Sequence, residues 1–129
     1  MKITVIATAP IQRGDLVTSA GAPAVASTDD LVGVAFEDAA IGEPCDVETE
    51  GKVRVRAGAG GAGLILGLPV VASAADADGS ATSVNPGTEI LGLPLVGDSA
   101  FFAGVALETI AAGEEGYISL GVYTGSRQV

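Results

Sequence analysis

Between residues 46 and 56 the chain alternates with a period of two: Asp46, Glu48, Glu50, Lys52, Arg54 and Arg56 are charged, while Val47, Thr49, Gly51, Val53 and Val55 between them are not. Successive side chains of a strand point to opposite faces, so this spacing predicts a half-buried strand. Gly51 marks a bulge or bend in one long strand, or a turn between two. Shorter apolar stretches predict further strands at 3–8, 31–36, 70–72, 81–84, 101–108 and 117–123. No segment keeps a 3.6-residue apolar stripe long enough for a helix, and nineteen glycines and six prolines interrupt the chain. Many short strands with turn signals between them predict a single all-β domain over residues 1–129. The expected form is a small β-barrel-like or sandwich fold with long Gly-rich loops and little helix.

The pattern also repeats. Gly33-Val34-Ala35-Phe36-Glu37 through Gly42-Glu43 returns 71 residues later as Gly104-Val105-Ala106-Leu107-Glu108 through Gly113-Glu114, and Ala40 matches Ala111. Each copy reads as an apolar strand, an acidic exit, an Ala-rich link, a Gly-Glu turn and a second strand. A shorter echo pairs Leu66-Gly67-Leu68-Pro69 with Leu91-Gly92-Leu93-Pro94. Proline cannot donate to a central ladder, so these segments are expected at strand starts or edges. Two copies are too few for a solenoid and fit a pseudo-symmetric small barrel.

Composition narrows the picture. An apolar share of 48% excludes a disordered chain, and with few aromatics the core has to come from Val, Leu and Ile. A net charge of −10 repels phosphate backbones and anionic bilayers, so neither nucleic acid nor membrane is an expected partner. The acid serves either as a solvated exterior or as attraction to a basic surface. Cys45 is alone, which rules out an internal disulfide and suggests a buried, inert thiol. Lys2 followed by Ile3-Thr4-Val5-Ile6 and Ala7-Thr8-Ala9 imitates a secretory leader, but its apolar part falls short of the roughly 7–15 residues such leaders use. Synthesis in a cytoplasm is the expectation.

Candidate chemistry is sparse. With no histidine in the chain, Ser–His, Cys–His and His-ligated metal sites are excluded. Paired carboxylates remain, and Glu37, Glu43, Glu108 and Glu114 recur in the repeat, yet a sugar site would call for aromatic platforms that this chain barely has. Gly58-Ala59-Gly60-Gly61-Ala62-Gly63 satisfies a dinucleotide-binding spacing, but Leu64-Ile65-Leu66 runs straight into Gly67-Leu68-Pro69 and leaves no room for the helix whose N-terminus would hold phosphate. A flexible glycine loop is the better account. Asp76-Ala77-Asp78-Gly79 opens like a calcium loop without the further alternating acids, and reads as a turn. Arg13-Gly14-Asp15 has the form of an adhesion tripeptide but is an ordinary turn pair. No catalytic residue, cofactor or metal is expected.

Taken in order, several short motifs resemble the capsid-cement or head-decoration proteins of tailed bacteriophages. They are Gly14-Asp15-Leu16-Val17, Leu31-Val32-Gly33-Val34-Ala35, Gly42-Glu43-Pro44, Glu50-Gly51-Lys52-Val53, Gly67-Leu68-Pro69-Val70 and Gly104-Val105-Ala106-Leu107-Glu108. The likeness spans nearly the whole chain and departs from the pattern at 89–101. It implies a compact β-barrel-like structural protein of the virion that binds the outer surface of the assembled, expanded head and stabilises it. The partner would be the phage major capsid protein, and the protein would be a homo-oligomer, often a trimer at three-fold or quasi-three-fold positions. A non-viral β-barrel binding or assembly module is the alternative. Within the cement reading, the terminal strand Lys2, Ile3, Thr4, Val5 and Ile6 either adds to an exposed sheet edge of the capsid or closes this protein's own barrel. Asp46, Glu48, Glu50, Lys52, Arg54 and Arg56, acid first and base second, form either a solvated face or a polar seam to a neighbouring subunit in opposite register.

Overall fold

The computed structural model describes residues 2–26, 29–61, 63–83 and 99–126, and among them there are β-strands and no helix. The strands are β1 (Lys2–Ile6), β2 (Leu16–Thr18), β3 (Leu31–Ala35), β4 (Pro44–Glu48), β5 (Glu50–Arg56), β6 (Pro69–Ala72), β7 (Ala81–Ser83), β8 (Ser99–Ala106) and β9 (Glu115–Ser126). They form two antiparallel sheets, one ordered β1-β4-β3-β2 and the other β5-β9-β8-β6-β7. The all-β expectation therefore holds.

The charged segment 46–56 is not one strand. The chain leaves the first sheet after Glu48 and enters the second at Glu50, and Gly51, at φ +98°, bends the start of β5. Period-two alternation runs unbroken across Thr49 because it records which face a residue takes and not which strand lies beside it. The three-residue β2 was not expected. It lies among turn-forming residues, and its strand geometry comes from its pairing with β3, Leu16 opposite Val34. Pro69 begins β6, as its missing N–H requires. The second Leu-Gly-Leu-Pro and most of the departure at 89–101 lie outside the described residues.

The sequence repeat is half of a larger duplication. β1, β2, β3 and β4 correspond to β5, β6, β8 and β9, and β7 is an addition to the second copy. The registers match strand for strand. Lys2 lies opposite Glu48 as Lys52 lies opposite Ser119, and Leu16 lies opposite Val34 as Pro69 lies opposite Val105. Loops agree as well. The Arg13 N–H donates to Asp38 Oδ1 at 2.8 Å and its counterpart, the Leu66 N–H, donates to Thr109 Oγ1 at 3.0 Å. The recurring acids of the Gly-Glu repeat cap these turns. Glu37 Oε1 accepts from the Asp46 N–H, as Glu108 Oε2 does from the Tyr117 N–H, and Glu43 Oε1 accepts from the Ala40 N–H.

Each half encloses its own apolar centre. In the first half, Ala7, Ile11, Val17, Ala35, Ala39, Cys45 and Val47 pack together. Counterparts of most of these in the second half, among them Ala57, Leu64, Val70, Ala106 and Ile118, form a core that also takes in Leu16, Leu31 and Val34 from the other face of the first sheet. One pair of positions has exchanged volume. Ala39 and Cys45 correspond to Ile110 and Gly116, and a Cβ on Gly116 would sit 2.7 Å from Ile110 Cδ1. Large-for-small on one side is matched by small-for-large on the other, the substitution pattern a close-packed interior tolerates best.

Candidate functional site

The two halves meet where the turn at residues 12–15 of the first lies against β5 of the second. Gly14, whose φ of +91° favours glycine, lies against that strand, and a Cβ there would be in ordinary contact with the Arg54 carbonyl oxygen at 3.5 Å. Beside it, Arg56 reaches across to the first half, donating from Nη1 to Gln12 Oε1 at 2.6 Å and from Nη2 to Asp15 Oδ1 at 3.0 Å, while Nη2 also donates to the Asp78 carbonyl of its own half at 3.1 Å. Asp15 is 2% exposed and its second oxygen accepts from the Gln12 N–H. A buried carboxylate held this way cannot be presented to a receptor, which agrees with the reading of Arg13-Gly14-Asp15 as an ordinary turn. Main-chain bonds from the Leu16 N–H to Gly79 O and from the Gly79 N–H to Ala24 O complete the joint.

Protonation follows from this setting. Burial pushes the Asp15 carboxyl above the usual carboxylate range, against the opposing help of the Gln12 N–H and Arg56. For Asp78 burial works upward too, but the Ser80 hydroxyl and N–H together with Arg56 outweigh it and hold the group low. A raised folded-state value stabilises most below the unfolded value and loses that contribution as pH rises through it. The lowered Asp78 contributes above its unfolded value and loses that only as pH falls through its folded one. Acidification also eases the self-repulsion of a −10 chain. The melting temperature is therefore expected to rise as pH falls from 8 toward the ordinary carboxylate value of 3.8, with Asp15→Asn removing part of the rise. A melting temperature that falls steadily over that range would contradict this.

A cleft of about 610 Å³ opens beside the joint, lined by Phe36 and Glu48 of the first half and by Glu50, Lys52, Arg54 and Tyr117 of the second, with Arg13 at its rim. The Lys2 ammonium sits 3.6 Å from the Phe36 ring centroid, and Lys52 sits 4.6 Å from that of Tyr117. Arg54 pairs with Glu115 at 3.3 Å, both half exposed, a contact worth about 0–1 kcal/mol. Small-molecule sites are enclosed and mainly apolar. This groove is open and mixed in charge, the character of a protein-docking surface.

The structure thus divides the six charged residues of 46–56. Glu48, Glu50, Lys52 and Arg54 share the cleft. Asp46 lies on the first sheet, where its Oδ1 accepts from the Thr4 hydroxyl at 2.9 Å, and Arg56 is committed to the joint. Arg13, Phe36 and Tyr117 join the site without a sequence signal, since only the folding of one half onto the other brings them to it. The terminal strand Lys2–Ile6 forms an edge of the first sheet, bonded to β4 on one side and largely exposed.

The remaining motifs resolve as structural. The Gly58–Gly61 turn closes around the Asp76 carboxylate: the Gly60 N–H donates to Asp76 Oδ1 at 2.9 Å, and any Cβ on Gly58 would collide with Oδ2. A carboxylate thus occupies the position where a phosphate would have to sit. Asp76 and Asp78 do not converge: the first also accepts from the Ser73 hydroxyl, while the second accepts from Ser80 and faces Arg56. Cys45 is fully buried, and burial together with the nearby Glu37 and Asp46 carboxylates raises its pKa, consistent with an inert thiol.

Comparison with known proteins bears on what this surface serves. No curated protein matches the chain. Among solved structures, the N-terminal base of the head fiber protein gp8.5 of bacteriophage phi29 is similar in fold, with a TM-score of 0.63 and 18% identity over 94% of this chain and 93% of that one. The sequence profile of the phage cement protein family matches residues 1–93, more than two thirds of the chain and all of the first half with its joint to the second. The chain belongs to the phage cement protein family.

Proposed function

We propose that this protein is a head cement: it binds the outer surface of the assembled, expanded phage capsid and stabilises it, as a trimer at three-fold or quasi-three-fold positions, without catalysing a reaction. Its membership of the cement family carries this reading. An open cleft of mixed charge on a chain built from two like sheets supports it, because such a surface suits the broad, polar contact of one protein on another. The major capsid protein is the proposed partner. For the shell contact the candidate is the open edge of β1, Lys2–Ile6, and for subunit pairing it is Glu48, Glu50, Lys52 and Arg54 on the cleft side.

The mechanism is linkage. A ligand that binds only the assembled, expanded shell lowers that state's free energy by about 2.7 kcal/mol per site at a hundred times its dissociation constant. Separating capsomers would then have to shed every bound copy first. The expected result is co-sedimentation with expanded heads, a raised melting temperature of those heads, and much weaker binding to unexpanded ones. Absence of co-sedimentation at saturating concentration would overturn the reading.

A further inference from the structure

The duplication leaves the second half with a joint surface that none of the described residues covers. Within the chain, the turn at 12–15 of the first half seats on β5, with Gly14 against its backbone. Among the described residues the counterpart turn at 65–68 seats on no strand of the other half: around Gly67 no heavy atom lies within 4 Å of where a Cβ would be, and Ile65 and Leu66 are 44% and 62% exposed. The counterpart of β5 is β1, which is an uncovered sheet edge with Ile6 57% exposed. One half of the molecule therefore shows an empty turn, and the other shows an empty strand of the kind that turn receives.

We propose that copies of this chain join head to tail, the turn at 65–68 of one copy seating on β1 of the next in the manner of the joint inside each chain. This rests on the oligomeric part of the reading above, and it assigns the β1 edge to a neighbouring copy rather than to the shell. The side chains carry the argument. Inside the chain the joint is polar, Arg56 bonding Gln12 and Asp15. At the corresponding places on the two open surfaces stand Ile6, Ile65 and Leu68. All three polar members have become apolar together, on both sides of a contact the chain does not itself make. Independent drift of two solvated surfaces would not keep them complementary, whereas burial against each other does.

Not every bond is repeated. The Leu16 N–H donates to Gly79 O across the internal joint, but its counterpart is Pro69, which has no N–H to give. The joint between copies is thus carried by apolar side chains where the internal one has an ion pair and that main-chain bond. A head-to-tail contact is heterologous, and it closes a ring when its rotation allows.

Ile65→Asp and Ile6→Asp test this, each placing a charge on one of the two surfaces at an already exposed position. By native mass measurement at tens of micromolar, the wild type is expected as a closed oligomer and each variant as a single chain, with unchanged circular dichroism. Leu66→Asp serves as a second variant of the turn. Mixed one to one, Ile65→Asp and Ile6→Asp should form a heterodimer and stop there, because only one intact turn and one intact strand are available between them. A monomeric wild type, variants that remain oligomeric, or a mixture that yields no heterodimer would overturn the proposal. Co-sedimentation with expanded heads is measured separately. Oligomers that ignore heads count against the cement reading alone, and monomeric wild type that binds heads counts against the joint alone.

Discussion

Gly104→Ala is expected to cost about 4 kcal/mol and to lower the melting temperature by roughly 15 °C, or to prevent recovery of folded protein. Gly104 has a φ of +146°, where a side chain is strained, and a Cβ there would lie 2.0 Å from the Ser119 carbonyl oxygen. That oxygen belongs to the neighbouring strand of the same sheet, so no side chain can swing aside to relieve the clash. Its counterpart Gly33 meets the Glu48 carbonyl oxygen at the same 2.0 Å, and Gly33→Ala should cost a comparable amount. Gly42→Ala is the control: its φ is +87° but nothing lies within 4 Å, so only backbone strain of about 1 kcal/mol applies. Thermal or urea unfolding should rank Gly104→Ala far below Gly42→Ala. A Gly104→Ala protein melting within two or three degrees of wild type would show that β8 and β9 are not packed as described.

Asp15→Ala should destabilise by about 2–3 kcal/mol, the range for losing hydrogen bonds to a charged partner at a buried site. Three losses coincide. Arg56 is left without its buried partner, the Gln12 N–H loses its acceptor, and the turn is no longer clamped to β5. Asp15→Asn should cost less, since an amide oxygen still accepts although it carries no charge. The double-mutant cycle of Asp15→Ala with Arg56→Ala should give a coupling above about 1 kcal/mol, because the two residues act as one contact. Additive effects would mean that the halves are held by apolar packing alone.

The acids around these positions show what can be read from sequence and what cannot. Glu37 and Glu108 stand out as a repeated pair, and their repetition has a local cause: each caps a turn nine residues wide, so the same segment regenerates the same contact. Asp15 has no such mark. Its partner Arg56 is 41 residues away, and a Gly-Asp turn looks the same whether its carboxylate faces solvent or an arginine. The earlier part of the duplication was faintly visible in Lys2, Val5 and Ala7 against Lys52, Val55 and Ala57, but three matches in a β-prone run do not stand above chance alternation.

Strand character, the lack of helix among the described residues, the charged alternation of 46–56, the turn-forming glycines and the exclusion of histidine chemistry follow from composition and neighbouring residues, and the amino-acid sequence alone determined them. Membership of the family was likewise legible, because short motifs kept their order along the chain. Which sheet each strand joined, that Glu48 and Glu50 fall on opposite sides of a sheet boundary, and that Arg56 faces inward to Asp15 were decided only by the tertiary structure. The physical reason is that a period of two specifies a face and never a partner. Partners are selected by long-range packing, here of Leu16, Leu31 and Val34 onto Val70 and Ile118, and the free energy of that packing is not written into any single stretch of chain.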